Sequence, residues 1–177
     1  MANIDTARRG IALIGMPGAG KSTVGALLAQ RLGLAFIDTD ALIEARAGSS
    51  LQQIVDSRGA IALRDIEETV LLELAAADAV VATGGSAVYS EAGMAQLRRW
   101  AVIVYLDVAA DELRRRLGNF ASRGIARQAG QSFSDLYAER RGLYQRYAEL
   151  RVEATSLSAT ALAACIEALV ARPPAAT

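Results

Sequence analysis

A three-layer α/β/α fold on a five-stranded parallel sheet is predicted by three observations. Short apolar runs alternate with helical patterns along the whole chain, the arrangement that buries a parallel sheet under helices on both faces. The first apolar run ends in Gly15-Met16-Pro17-Gly18-Ala19-Gly20-Lys21-Ser22, a Gly-x4-Gly-Lys-Ser pattern set between a strand and a helix. The 177 residues, 53% of them hydrophobic, suffice for one such domain and its core and leave little room for a second. A single phosphate-loop (P-loop) domain is therefore expected over residues 1–172, with a disordered tail at 173–177.

The elements follow in order. Residues 10–14 form a buried strand running into Gly15, and 21–32 form a helix with Val24, Leu27, Leu28 and Leu32 on its apolar stripe, stopped by Gly33. A second strand at 34–37, expected to neighbour the first, ends on Asp38-Thr39-Asp40. Helical patterns cover about 41–47, 51–57 and 60–77, and a third strand at 79–82 is closed by Thr83-Gly84-Gly85-Ser86. A helix at 91–99, a strand at 101–106 and a helix at 109–117 come next. Residues 118–131 then break the pattern, with glycines at 118, 124 and 130. Ser132 is placed to cap a helix reaching about 150, a fifth strand spans 151–154, a last helix spans 160–172, and Pro173-Pro174 ends regular structure.

Composition removes several classes of chemistry. With 19 basic and 19 acidic residues the net charge is zero, so no global field draws in nucleic acid or an anionic membrane. Histidine is absent and Cys165, expected to be a buried helix thiol, is the single cysteine, which excludes Ser-His-Asp and Cys-His catalysis, histidine metal sites and disulfides within the chain. The polar N-terminus lacks the order of a signal peptide and no apolar run is of membrane-spanning length, so a cytoplasmic protein, acting as a monomer, is expected.

The glycine pattern is specific in this context. Glycines let consecutive backbone N–H groups wrap toward a phosphate, and the helix that begins at Lys21 adds its positive end. Gly18, Ala19 and Gly20 cradle the nucleotide, Lys21 reaches the β- and γ-phosphates, the Ser22 hydroxyl ligates Mg²⁺, and Thr23 supports the α-phosphate. Ligands of open parallel sheets gather at the carboxyl ends of strands, where Asp38 and Asp40 lie. Flanking one residue of an extended segment, they project to the same side. One can hold Mg²⁺ through water while the other meets the attacking hydroxyl; alternatively, Asp40 only caps the following helix.

The chain resembles the shikimate kinase family over nearly its whole length. The resemblance is carried, in order, by Gly15–Thr23, Phe36-Ile37-Asp38-Thr39-Asp40, Arg64-Asp65-Ile66-Glu67-Glu68, Thr83-Gly84-Gly85, Tyr105-Leu106-Asp107 and Arg140-Arg141-Gly142-Leu143-Tyr144 with Ala148. It implies ATP-dependent phosphorylation of the shikimate 3-hydroxyl with Mg²⁺, Asp38 helping to hold the metal and Asp40 binding substrate hydroxyls and acting as base. Arg64 and Arg140 would grip the substrate carboxylate, Gly84 and Gly85 would offer backbone N–H groups, and Glu67, one helical turn beyond Arg64, would orient that arginine. Residues 118–131 would form a mobile lid, from which Arg123 reaches the phosphates, while Arg116 stacks near the adenine. The competing reading of Arg64 is a surface ion pair with Glu67 or Glu68.

Three departures from the family pattern bear on the acceptor and the lid. Ser86 stands at the third turn glycine, Arg123 precedes Gly124-Ile125 where the family has proline and leucine, and position 142 is glycine rather than proline. They keep open a kinase of another small hydroxylated acid or amino acid, such as gluconate or homoserine. A nucleotide-binding protein without turnover is a third reading, opposed by the intact Lys21, Ser22 and Asp38.

Overall fold

The computed structural model describes residues 8–75, 78–118, 125–127 and 130–171. Five strands pair in parallel into one sheet: β1 (Gly10–Ile14), β2 (Ala35–Asp38), β3 (Ala79–Ala82), β4 (Ala101–Asp107) and β5 (Leu150–Glu153), in the order 2-3-1-4-5. The three inner strands are buried along their full length, as runs of Ile, Val, Leu and Ala covered on both faces must be. The two edge strands are only partly buried.

The helices are α1 (Lys21–Leu32), α2 (Thr39–Ala47), α3 (Leu51–Glu73), α4 (Glu91–Arg98), α5 (Ala110–Leu117), α6 (Phe133–Tyr147) and α7 (Ala159–Val170). The α1 crossover runs from β1 toward the β2 edge, whereas the α4 crossover runs from β3 across β1 to β4. Right-handed crossovers in opposite directions put their helices on opposite faces. Accordingly α1 packs with α7, and α3 packs with α4. Cys165 lies half-buried on α7.

The strand order corrects one expectation. The second strand does not neighbour the first, because β3 lies between them: Ala12 pairs with Val81, and Val81 pairs with Ile37. Both β2 and β3 are short apolar runs of four residues, so the sequence alone does not tell which one takes the place beside β1. The consequence for the site is favourable. Asp38 and Ala82 end in register, so the loops after β1, β2 and β3 all open at one edge.

Helix caps fix how those loops leave the sheet. Ser50 and Gln53 form a reciprocal capping box at the start of α3, and Ser132 and Asp135 form another at the start of α6. The two helices expected at 51–57 and 60–77 meet within α3 at a kink at Gly59, whose backbone (φ 83°, ψ 168°) is non-helical, accessible to glycine and hardly to any other residue. The bend aims the second half of α3, which carries Arg64 and Glu67, at the turn after β3. A side chain at position 59 would meet nothing within 4 Å, so only the backbone resists one. Gly59→Ala is expected to lower stability by about 1–3 kcal/mol in urea unfolding.

Candidate active site

The loop after β1 has the geometry of a phosphate cradle. Gly15, Gly18 and Gly20 adopt φ values of 148°, 80° and 92°, and Ala19 N–H closes onto Met16 O at 3.1 Å. A Cβ at Gly18 would sit 3.1 Å from the Leu117 side chain, a tight contact added to a φ of 80° that favours glycine. Lys21 Nζ donates to the carbonyls of Gly15 at 2.8 Å and Met16 at 3.0 Å. Burial pulls this ammonium down to about 8, against Asp40, Asp38 and Glu67, which favour its charge. Ser22 and Thr23, on the exposed first turn of α1, line the same cavity.

At the end of β2 the two aspartates part company. Asp38 is the N-cap of α2: its Oδ1 accepts from Asp40 N–H at 3.0 Å and Ala41 N–H at 3.4 Å. The helix begins at Thr39, two residues earlier than the sequence suggested, so Asp40 lies in its first turn and the alternation of an extended segment does not govern the pair. The capping role weighed for Asp40 thus belongs to Asp38. Asp40 faces the cavity, and burial raises its carboxyl above the usual range, Lys21 opposing and Asp38 and Glu44 reinforcing the shift.

A cavity of about 330 Å³ unites the phosphate loop with the acceptor side. Pro17, Lys21, Asp40, Glu67, Gly85, Ser86 and Arg140 all reach it. Arg140 on α6 is 1% exposed, and its Nη2 donates to Ala126 O. Tyr144, one helical turn on, donates to Gly85 O at 2.6 Å, which fixes the glycine turn against α6. Gly84 N–H donates to Thr39 Oγ1 at 2.9 Å, whereas Gly85 lines the cavity itself. A Cβ at Gly84 would fall 2.7 Å from Asp40 Oδ1, and one at Gly85 would fall 2.8 Å from Pro17. The two glycines let the turn lie flat against its neighbours.

Arg64 stands apart from this cavity. It lines an adjoining hollow with Tyr89, and Glu67 and Ser86 form the shared wall. Its guanidinium lies 3.7 Å from the centre of the Tyr89 ring, which is also 5.3 Å from that of Arg140. Tyr89 in turn donates to Glu139 at 2.7 Å. Sequence reasoning missed this tyrosine, since an aromatic residue at the end of a short 3-10 turn (Ala87–Tyr89) carries no motif. It missed the Ser86–Glu67 hydrogen bond as well, and the expected Arg64–Glu67 pair is not formed.

Arg116 on α5 reaches the outer rim of the phosphate loop. It bonds Glu112 at 2.7 Å, Thr155 O at 3.2 Å and Gly18 O at 3.5 Å. In the segment expected to be a lid, Ile125 and Ala126 line the cavity, while Arg123 lies outside the described residues. No group of three acidic, cysteine or histidine side chains able to hold a metal occurs among the described residues, nor is any helix there long and apolar enough to cross a membrane.

Glu67 is 5% exposed, and burial pushes its carboxyl up to about 7, with Ser86 and the arginines 140 and 64 resisting. The folded state therefore holds this proton more tightly than the unfolded state does. The associated stability is complete below about 4.5 and is lost as pH rises through about 7. Glu67→Gln removes the titration, so its melting temperature is expected to gain several degrees on the parent between pH 5 and pH 8, measured by differential scanning calorimetry.

The sequence model of the shikimate kinase family matches residues 17–170. The chain is 42% identical to a shikimate kinase of Paracidovorax citrulli, with 78% of each chain covered, and 43% identical to one of Chromohalobacter salexigens, covering 80% of this chain and 81% of that one. Its fold is similar to that of an Acinetobacter baumannii shikimate kinase in complex with shikimate, with a TM-score of 0.84, 32% identity, and coverage of 93% and 94% of the two chains. The Aquifex aeolicus shikimate kinase gives a TM-score of 0.76 at 27% identity, covering 90% of this chain and 94% of that one. The chain thus belongs to the shikimate kinase family.

Proposed function

We propose that this chain transfers the γ-phosphoryl group of ATP to the 3-hydroxyl of shikimate, giving shikimate 3-phosphate and ADP. The observation that carries the reading is one cavity in which the phosphate-loop lysine, a half-buried aspartate and a buried arginine converge. Family membership supplies ATP as the donor, and the likeness to a shikimate-bound enzyme supports shikimate as the acceptor.

Gly18, Ala19, Gly20, Lys21, Ser22 and Thr23 hold the phosphates, and Arg116 covers the adenine side. Lys21 exchanges its loop carbonyls for β- and γ-phosphate oxygens. Ser22 and Asp38 hold Mg²⁺: the serine hydroxyl is exposed at the cradle, and Asp38 keeps one oxygen beyond its capping bonds. Such a sparse protein donor set suits Mg²⁺, which completes its shell with phosphates and water. Arg123 is assigned to transition-state charge on the strength of the family pattern.

On the acceptor side, Asp40 takes the proton of the attacking hydroxyl. Burial raises its carboxyl above the usual range, which makes it a stronger proton acceptor than a solvated aspartate. Arg140 and Arg64 hold the acceptor carboxylate, with Gly85 and Gly84 shaping the floor. A planar guanidinium matches a carboxylate with two parallel bonds, which selects an acid over a neutral polyol. A monomer as the working unit and a cytoplasmic setting that supplies MgATP complete the reading.

Purified protein incubated with ATP and shikimate is expected to release ADP far above the background hydrolysis rate; gluconate and homoserine at equal concentration are expected to give little. Preference for another acceptor in that panel would overturn the assignment. Asp40→Asn is expected to lower kcat roughly 10²–10⁴-fold while nucleotide affinity is retained in equilibrium binding. Arg140→Ala is expected to raise KM for shikimate by about one to two orders of magnitude, with KM for ATP little changed.

A further inference from the structure

The turn after β3 is the least constrained backbone around the cavity. Gly84 and Gly85 have no side chains of their own, so what holds them in place must come from other elements. Two hydroxyl groups do so from opposite sides. Thr39, buried at the start of α2, accepts from Gly84 N–H at 2.9 Å, and Tyr144, buried on α6, donates to Gly85 O at 2.6 Å. Burial pushes the Tyr144 phenol far above its ordinary pKa, so it keeps the proton that it donates. Beyond the glycines, Ser86 is tied to Glu67.

The Tyr144 anchor is itself fixed by the sheet. Its ring stacks on that of Tyr105 on β4, with centroids 5.1 Å apart and planes inclined at 24°. Tyr105 donates to Asp107 Oδ1 at 2.8 Å, and Asp107 Oδ2 accepts from Arg151 Nε on β5 at 2.8 Å. Three residues that carry the family resemblance without touching the cavity, Tyr105, Asp107 and Tyr144, thus form one buried assembly. Tyr144 follows Arg140 by one turn of α6, so the helix that supplies the guanidinium also holds the glycine turn beside it. The two come close, since a Cβ on Gly85 would lie 3.0 Å from Arg140 Nη1.

We propose that Tyr144 is a positioning residue for the acceptor: its hydroxyl holds the Gly84-Gly85 turn at a set distance from Arg140 and so fixes the width of the acceptor site. The inference rests on the reading of that cavity as a shikimate site with Arg140 in its clamp. A planar trans peptide sets its N–H opposite its C=O, so a fixed Gly85 carbonyl also fixes the direction of the Ser86 N–H. Without the hydroxyl the Gly85 carbonyl loses its partner, and an acceptor has to order the turn as it binds, which costs affinity. Once the acceptor is seated the geometry is the same, so the loss falls on binding and not on turnover.

The test is shikimate affinity by isothermal titration calorimetry, with ATP affinity and kcat measured on the same samples. Tyr144→Phe keeps the ring and its stacking and removes only the hydroxyl. It is expected to weaken shikimate binding about fivefold, the loss of roughly one neutral hydrogen bond. Its ATP affinity and its kcat at saturating shikimate are expected to stay within about twofold of the parent. The other neighbour of the hydroxyl, Met16 Sδ in the phosphate loop at 3.9 Å, is only a weak acceptor. Thr39→Val unties the turn at its other end without touching α6 and is expected to give the same pattern. Tyr105→Phe removes an equally buried hydroxyl from the same stack, and is expected to lower the melting temperature while shikimate affinity stays that of the parent. An equal loss of affinity in Tyr105→Phe and Tyr144→Phe means that binding follows general stability, and overturns the inference. Parent-like affinity in Thr39→Val overturns it too, because the turn then needs no tie and Tyr144 acts through Arg140 alone. Parent-like affinity in Tyr144→Phe removes the positioning role and leaves the proposed function standing. A parent that binds no shikimate removes both together.

Discussion

A parallel strand buried on both faces cannot turn back on itself at its carboxyl end; it must hand the chain to a helix on one face within a few residues. In β1 that constraint falls between β3 and β4, at the point where the crossovers diverge to opposite faces. Only a backbone free to adopt positive φ can make the turn while pointing its N–H groups inward, which is what Gly15, Gly18 and Gly20 supply. The rest of the site is placed relative to that turn. In-register ends bring Asp38 and Thr83 alongside it, and Thr83 continues the ladder by donating its N–H to Leu13 O at 3.1 Å.

Gathering charges at such a point has an electrostatic cost. Lys21, Asp40, Glu67 and Arg140 all reach one cavity, and an isolated charge there would be strongly disfavoured. The cost is offset by opposition. Asp40 and Glu67 favour the charged form of Lys21, while Arg140 and Arg64 favour the charged form of Glu67. The balance is incomplete, so Lys21 falls to about 8 and Glu67 rises to about 7. The zero net charge of the chain therefore coexists with a strongly structured local field.

Local patterns in the sequence carried most of the fold. The strand at 10–14 and the helix at 21–32 were legible to the residue, because a glycine or an apolar stripe marks each boundary. Even the bend in α3 was visible, as a break between two helical patterns at Gly59. What stayed hidden depends on contacts between distant segments. The place of β3 between β1 and β2 is a pairing choice among similar apolar runs. The exchange of roles between Asp38 and Asp40 turns on where α2 starts, a matter of one or two residues. Tyr89 against Arg64 and Ser86 against Glu67 join residues 25 and 19 positions apart by their numbering, with no motif to announce either contact.

The departures from the family pattern can now be weighed by position. Gly142 lies on the exposed side of α6, where an added Cβ would meet nothing within 4 Å. Arg140 and Tyr144 on either side of it remain buried, because residues four apart share a face and the one between them does not. The helix simply continues through the glycine, at a modest cost in propensity and none in the geometry of the site. Gly124 lies outside the described residues. Ile125 and Ser86 both reach the cavity, and there Ser86 bonds a buried carboxyl group rather than projecting into the space an acceptor would fill. A side chain so engaged narrows the acceptor site little.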